Sequence, residues 1–223
     1  MAGTSLEGRF DADLGVWLRI PDGEVRVPRP ALFLDRDGVI VEDSRYLSRA
    51  CEMVLIPGAA EIITLANAQD IPVVEVTNQA GIGLGYYGWS EFLEVETALG
   101  QELARGGAVI EGVFACPYHP RGVGAWAHPA HPRRKPEPGM LVAAARLMGL
   151  DLGRSWIVGD KHDDLVAGQR AGLAGGVHVL TGHGVEHRAR ATAWKPAGFD
   201  LRMADSIAAA RDVIEFMDWD RTR

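Results

Sequence analysis

The stretch Ala31-Leu32-Phe33-Leu34-Asp35-Arg36-Asp37-Gly38 decides how this chain folds. Four apolar residues in a row, followed by two carboxylates two positions apart and a glycine, read as a buried strand whose carboxyl end opens into a polar loop. Moving outward, runs of the same kind recur at 71–77, 112–116, 155–159 and 176–180, and helical patterns near 58–70, 89–106, 138–149 and 163–172 separate them. Near-continuous apolar strands alternating with helices point to an α/β fold of Rossmann-like type, a parallel sheet with helices on both faces. A last helix is expected after Asp205-Ser206, which can cap it. In such sheets ligands bind beyond the carboxyl ends of the strands, so the residues that end each strand are the candidates for function.

Upstream of the deciding strand, Val16-Trp17-Leu18-Arg19-Ile20 and Glu24-Val25-Arg26-Val27 flank Pro21-Asp22-Gly23, which reads as an N-terminal β-hairpin extension over residues 1–30. Residues 31–223 then form the main domain. Of the 223 residues 47% are hydrophobic, enough for one α/β domain with a substantial core. A formal net charge of -7 argues against binding to a nucleic-acid backbone, which needs clustered Lys and Arg. No apolar stretch approaches the roughly 20 residues that span a bilayer. Two cysteines, Cys51 and Cys116, and an N-terminus without a signal-peptide pattern lead us to expect a cytoplasmic protein. The oligomeric state is not legible.

Four segments carry chemistry. At the end of the first strand, one carboxylate of Asp35 and Asp37 can attack phosphorus while the other handles the proton, provided that a cation screens the repulsion between carboxylate and phosphate. All-oxygen sites of this kind suit Mg²⁺. The second strand ends in Val76-Thr77-Asn78-Gln79, a hydroxyl and amides on which a phosphoryl oxygen can rest. Arg134-Lys135-Pro136 brings fixed positive charge ahead of a helix. The fourth strand ends in Gly159-Asp160-Lys161-His162-Asp163-Asp164, another carboxylate at the same sheet edge. Each segment alone also has a plain structural explanation, as a turn, a cap or a surface charge.

Together and in this order, the four segments resemble the haloacid dehalogenase (HAD) superfamily of phosphatases over about residues 31–180, and therefore imply the HAD fold. The resemblance implies Asp35 as nucleophile, Asp37 as general acid and then base, and Thr77 and Lys135 on the transferring phosphoryl group. It further implies Mg²⁺ held by Asp35, Asp160 and the main-chain carbonyl of Asp37, with Asp164 in support. Phe33 to Gly38, Thr77-Asn78-Gln79, Arg134-Lys135-Pro136 and Gly159-Asp160-Lys161 are most similar to the heptose bisphosphate and histidinol-phosphate phosphatase branch. By that likeness Asp43, Tyr46, Asn78, Gln79, Arg134 and Lys161 contact the substrate, a small phosphorylated metabolite: a heptose bisphosphate or similar sugar phosphate first, histidinol phosphate second. About twenty residues separate Asp37 from the first helix, so the site is expected to be essentially capless.

Two departures stand out. The branch carries Cys-x-His and then Cys-x-Cys around a structural zinc, whereas the matching positions here read Cys116, Tyr118, His131 and Arg133, so structural zinc is not expected. A shifted set of Cys116, His119, His128 and His131 is the alternative. Leu84 stands where the branch often has Arg. Among other classes, Gly83-Leu84-Gly85-Tyr86-Tyr87-Gly88 matches a dinucleotide glycine pattern, but it starts several residues beyond the strand and lacks the expected acidic partner. A non-catalytic phosphosugar-binding protein has no need of both Asp35 and Asp37.

Overall fold

The computed structural model describes residues 8–21 and 28–217. An eight-stranded sheet runs in the order β1-β2-β5-β4-β3-β6-β7-β8. These strands are β1 (Arg9–Asp11), β2 (Val16–Arg19), β3 (Leu32–Leu34), β4 (Val73–Asn78), β5 (Gly112–Cys116), β6 (Trp156–Gly159), β7 (Gly175–His178) and β8 (Asp200–Met203). From β5 across to β8 every neighbouring pair is parallel. Helices α1 (Ala59–Ala68), α2 (Ala80–Gly83), α3 (Trp89–Arg105), α4 (Gly139–Met148), α5 (His162–Ala171), α6 (Gly184–Ala193) and α7 (Ala210–Phe216) complete the chain.

The side-chain period of two explains the two-sided core. Leu32 and Leu34 face a cluster that includes Ile62, Phe92, Leu99, Leu103 and Val213, from α1, α3 and α7. Ala31 and Phe33 face the other cluster, with Met140, Leu141, Ala144 and Ala167 from α4 and α5. Both faces are thereby sealed, and the carboxyl end of the sheet is left for the site.

The structure departs from the sequence reading at both ends. Val16–Arg19 does form a hairpin strand, but its partner is Arg9–Asp11, and its other edge pairs with β5 through Trp17↔Ala115, Leu18↔Phe114 and Arg19↔Val113. Val16, Trp17 and Leu18 are all buried, which requires cover on both faces of this strand. The expected partner at 24–27 lies outside the described residues. Helix α6 and strand β8 were not expected; β8, Asp200-Leu201-Arg202-Met203, has exposed ends and a half-buried middle and lacks the apolar run that marks a buried strand. After Asp205-Ser206 the chain first makes a 3-10 turn, Ile207–Ala209, and Ser206 gives no side-chain cap. Between Asp37 and α1 the chain holds one short 3-10 turn, Ala50–Glu52, and no inserted domain.

Candidate active site

Asp35 follows Leu34 at the carboxyl end of β3, with its main-chain N–H bonded to Val158 O of β6. Its carboxylate is almost enclosed and meets Lys135, whose ammonium reaches Asp35 Oδ1 at 2.9 Å, Asp164 Oδ1 at 2.6 Å and Val76 O at 2.7 Å. An ammonium has three protons, so this set satisfies it completely. Burial alone would lower the Lys135 pKa, but the charges of Asp164 and Asp35 outweigh it and hold the group above its ordinary value. Asn78 fixes the lysine's backbone, donating Nδ2–H to Lys135 O and accepting Lys135 N–H on Oδ1.

Asp160, the residue after β6, is fully buried. Its Oδ2 accepts the main-chain N–H of His183 at 2.7 Å, while Oδ1 is buried without a hydrogen-bond partner. Lys161 Nζ stands 3.6 Å from that oxygen, too far for a hydrogen bond. Oxygens of Asp35, Asp160 and Asp164 all lie within 4.8 Å of one another. Burial, reinforced by the Asp35 charge, pushes Asp160 up to about 8. Three crowded carboxylates with one unpartnered oxygen form a hard, anionic donor set that fits a divalent cation such as Mg²⁺. Asp164 is the least available of the three, because Lys135 takes one of its oxygens and the N–H of Lys161 the other. Gly38 and Gly182, both at positive φ, close around Asp160: a Cβ on either would meet Asp160 Oδ2 at 2.5 or 2.4 Å.

Asp37 is gripped from the side. Arg36 donates Nε–H and Nη2–H to its Oδ1 and Nη2–H to its Oδ2, and Gln79 donates Nε2–H to Oδ2 at 3.2 Å. Gln79 also donates to Thr77 Oγ1 at 2.8 Å and accepts from Tyr87 at 2.5 Å.

The resulting cleft has a volume of about 530 Å³. Of the residues singled out from sequence, Asp35, Asp37, Asp43, Tyr46, Asn78, Gln79, Arg134, Lys135 and Lys161 line it. Thr77 and Asp160 lie beneath its floor, buried at 1% and 0% exposure. The Thr77 hydroxyl, expected against the phosphoryl group, accepts a hydrogen bond from Gln79 and keeps its own proton to donate. Arg45 and Tyr46 carry positive φ on the rim loop, stabilised by Asp43 Oδ1 accepting Arg45 N–H. Asp43 also meets His183 Nε2 at 3.1 Å and Lys161 Nζ at 3.6 Å.

His183, Glu186, Asp163 and Tyr87 also line the cleft and were missed. The signal for His183 was present: Thr181-Gly182-His183 follows β7 at the same sheet edge that selected the other candidates. The branch's zinc positions behave differently. Tyr118 stacks on His131 with ring centres 3.7 Å apart and planes 5° apart, and Arg133 donates to Leu14 O and Gly139 O. The carboxylate trio is the one group of three or more potential metal ligands that converges among the described residues, and Cys116, His119, His128 and His131 do not form another.

The HAD-hydrolase-like family model matches residues 132–210. A D-glycero-beta-D-manno-heptose-1,7-bisphosphate 7-phosphatase of Mesorhizobium japonicum is 52% identical over 163 residues, 73% of this chain and 75% of that protein. The crystal structure of a HAD-like protein from Mesorhizobium loti superposes with a TM-score of 0.82 at 42% identity, covering 95% of this chain and 99% of that one. D,D-heptose 1,7-bisphosphate phosphatase from B. bronchiseptica, solved with magnesium and phosphate, gives a TM-score of 0.73 at 31% identity over 84% of this chain and 99% of that one.

Proposed function

Because the chain belongs to the heptose bisphosphate phosphatases of the HAD-like hydrolases, and is accordingly a phosphatase, we propose that it dephosphorylates a heptose 1,7-bisphosphate through an aspartyl phosphate on Asp35. The observation that carries this reading is the seat of Asp35, an enclosed carboxylate at a strand end between a saturated lysine and an orphaned carboxylate oxygen.

In the first step an oxygen of Asp35 bonds to phosphorus as the bond from phosphorus to the sugar oxygen breaks. Asp37, as general acid, gives a proton to the departing alkoxide. In the second step Asp37, now a carboxylate, takes a proton from water as the water oxygen bonds to phosphorus. The acyl phosphate breaks, inorganic phosphate leaves, and Asp35 is free again. Asp35, Asp160 and the main-chain carbonyl of Asp37 would hold Mg²⁺, which would supply charge that screens the carboxylate from the phosphate dianion. Lys135 holds Asp35 in line and adds positive charge where the phosphoryl group sits. Thr77 acts one layer down, orienting the Gln79 amide. Asp43, Arg45, Tyr46, Arg134 and Lys161 meet the rest of the sugar, and the cations among them suit its second phosphate.

A second reading has one observation in its favour. Asp43, Asp163 and Glu186 place carboxylates around the cleft, a setting that suits the ammonium group of histidinol phosphate. A panel of phosphorylated metabolites assayed with Mg²⁺ separates the two. We expect heptose bisphosphate to give the highest kcat/KM, and Arg134→Ala to narrow its lead over monophosphates. Histidinol phosphate turning over faster would replace the preferred substrate, and no turnover of any phosphate ester would overturn the reading.

A further inference from the structure

The charged cluster beneath the cleft is not used by the steps above. Arg36 is the largest fully buried side chain among the described residues, at 0% exposure. Its guanidinium is shared between Asp37 on one side and Glu96 Oε1 of α3 on the other, at 3.1 Å each, with Gln79 Oε1 at 3.3 Å. The plane lies over the Phe92 ring, 5.5 Å from its centre. Glu96 is itself buried, and Glu75, one strand away, is buried with neither carboxylate oxygen bonded.

As a device for stability this arrangement is poor. Desolvating a guanidinium and its carboxylates costs several kcal/mol, and apolar residues of similar volume commonly do as well or better. What an arginine offers that an apolar residue cannot is a rigid fork that fixes the plane of a carboxylate. The carboxylate it fixes here is Asp37, which is 21% exposed at the cleft and otherwise free to rotate toward solvent. Glu96 in turn stops Arg36 from swinging, because it ties Nη1 to a helix of the core.

We propose that Arg36 and Glu96 are positioning residues for proton transfer: Glu96 fixes Arg36, and Arg36 together with Gln79 aims Asp37 at the leaving oxygen and later at water. The inference rests on Asp37 being the general acid and base of the proposed function. The Arg36 side chain does not line the cleft, and its contacts with the site are Asp37 and the Gln79 amide that also holds Asp37, so its effect on proton transfer passes through Asp37.

The leaving group supplies the test. An alkoxide leaves with great difficulty unless protonated, whereas 4-nitrophenolate leaves unaided, so misplacing the acid hurts a sugar phosphate far more than an aryl phosphate. For Arg36→Lys, which keeps the charge and loses the fork, kcat/KM for the sugar phosphate is expected to fall about 10²-fold. The fall for 4-nitrophenyl phosphate should stay within about threefold, and KM should change little. Glu96→Gln keeps the shape and one acceptor, and the same pattern is expected from it in milder form. If Arg36→Lys does not fold, the Glu96→Gln variant decides the matter alone. Adding either substitution to Asp37→Asn should cost nothing further, since the groups act as one unit.

Equal losses on the two substrates, or a loss that adds to that of Asp37→Asn, would show a structural role and overturn the inference. Asp37→Asn measured alone keeps the two levels apart. If that variant lacks the leaving-group signature, the acid role of Asp37 fails and the proposal falls with it. If it has the signature and Arg36→Lys does not, the reading of the site stands and only the positioning role falls.

Discussion

Lys135 Nζ and Asp35 Oδ1 are 2.9 Å apart where the cleft meets the buried interior, and the same ammonium holds Asp164 at 2.6 Å. One cation thus balances part of a three-carboxylate cluster. Lys135→Met should therefore cost about 3–5 kcal/mol of stability, because it strands buried carboxylates. Urea denaturation measures this, and Mg²⁺ should restore a part of the loss. A variant as stable as the wild type without Mg²⁺ would mean that the carboxylates do not need the lysine. Turnover should drop at least about 10²-fold, since the nucleophile loses its anchor.

Asp35→Asn should abolish turnover of every phosphate ester while leaving thermal stability close to that of the wild type. The amide is isosteric but does not attack phosphorus, and loss of a nucleophile costs many decades of rate. Activity within about tenfold of wild type would rule out the covalent route. Asp37→Asn is expected to be selective instead: with an aryl phosphate, a phosphoenzyme should accumulate and be visible in acid-quenched protein, because its hydrolysis lacks a base.

Chelation should stop activity reversibly, with Mg²⁺ restoring it, and the pH dependence of Mg²⁺ affinity follows from Asp160. Its carboxyl is raised to about 8 in the folded protein without metal, against an ordinary value of 3.8. Between those values the folded chain holds a proton that the unfolded chain does not, so the metal-free protein loses stability as pH rises toward 8. Mg²⁺ must displace that proton. Titration calorimetry should show tighter binding as pH rises from 6 to 8, by up to about tenfold per pH unit, with proton release. Affinity independent of pH over that range would contradict the shift.

No zinc is expected in the purified protein, and the 116–133 loop should depend on Arg133. His119, His128 and His131 each accept the N–H two residues onward on Nδ1, a local turn contact. Burial, with help from the neighbouring His128 and Arg133, lowers His131 to about 4, so it stacks on Tyr118 as a neutral ring. Trp126 packs against Tyr118 and Phe10, tying the loop to β1. Arg133→Ala, which frees Leu14 O and Gly139 O, should cost about 1–3 kcal/mol in denaturant unfolding. Stoichiometric zinc by elemental analysis, lost in Cys116→Ala, would overturn this account.

What the sequence by itself determined is whatever depends on near neighbours. The apolar runs fixed the parallel strands from β3 to β7 and helices α1, α3, α4 and α5 to within about two residues, because burial on both faces leaves no polar position inside a strand. It also placed Asp35, Asn78 and Asp160 at one edge, since strand ends in a parallel sheet share a side, whereas Lys135, in the loop before α4, was assigned to the site through the family resemblance.

Only the tertiary structure decided who meets whom. Val16–Arg19 carries the same residues whether it pairs with a strand before or after it, and burial beside β5 selected Arg9–Asp11. Thr77 has a hydroxyl fit for phosphate, and that the Gln79 amide donates to the same oxygen was not legible in the sequence. Arg36 beside Asp37 looks like a surface charge in a polar turn, and its burial becomes visible only when α3 brings Glu96 up from sixty positions away. Periodicity reports which face a residue takes, not which distant side chain lies opposite; that is set by how helices and strands pack, through contacts that no local pattern encodes.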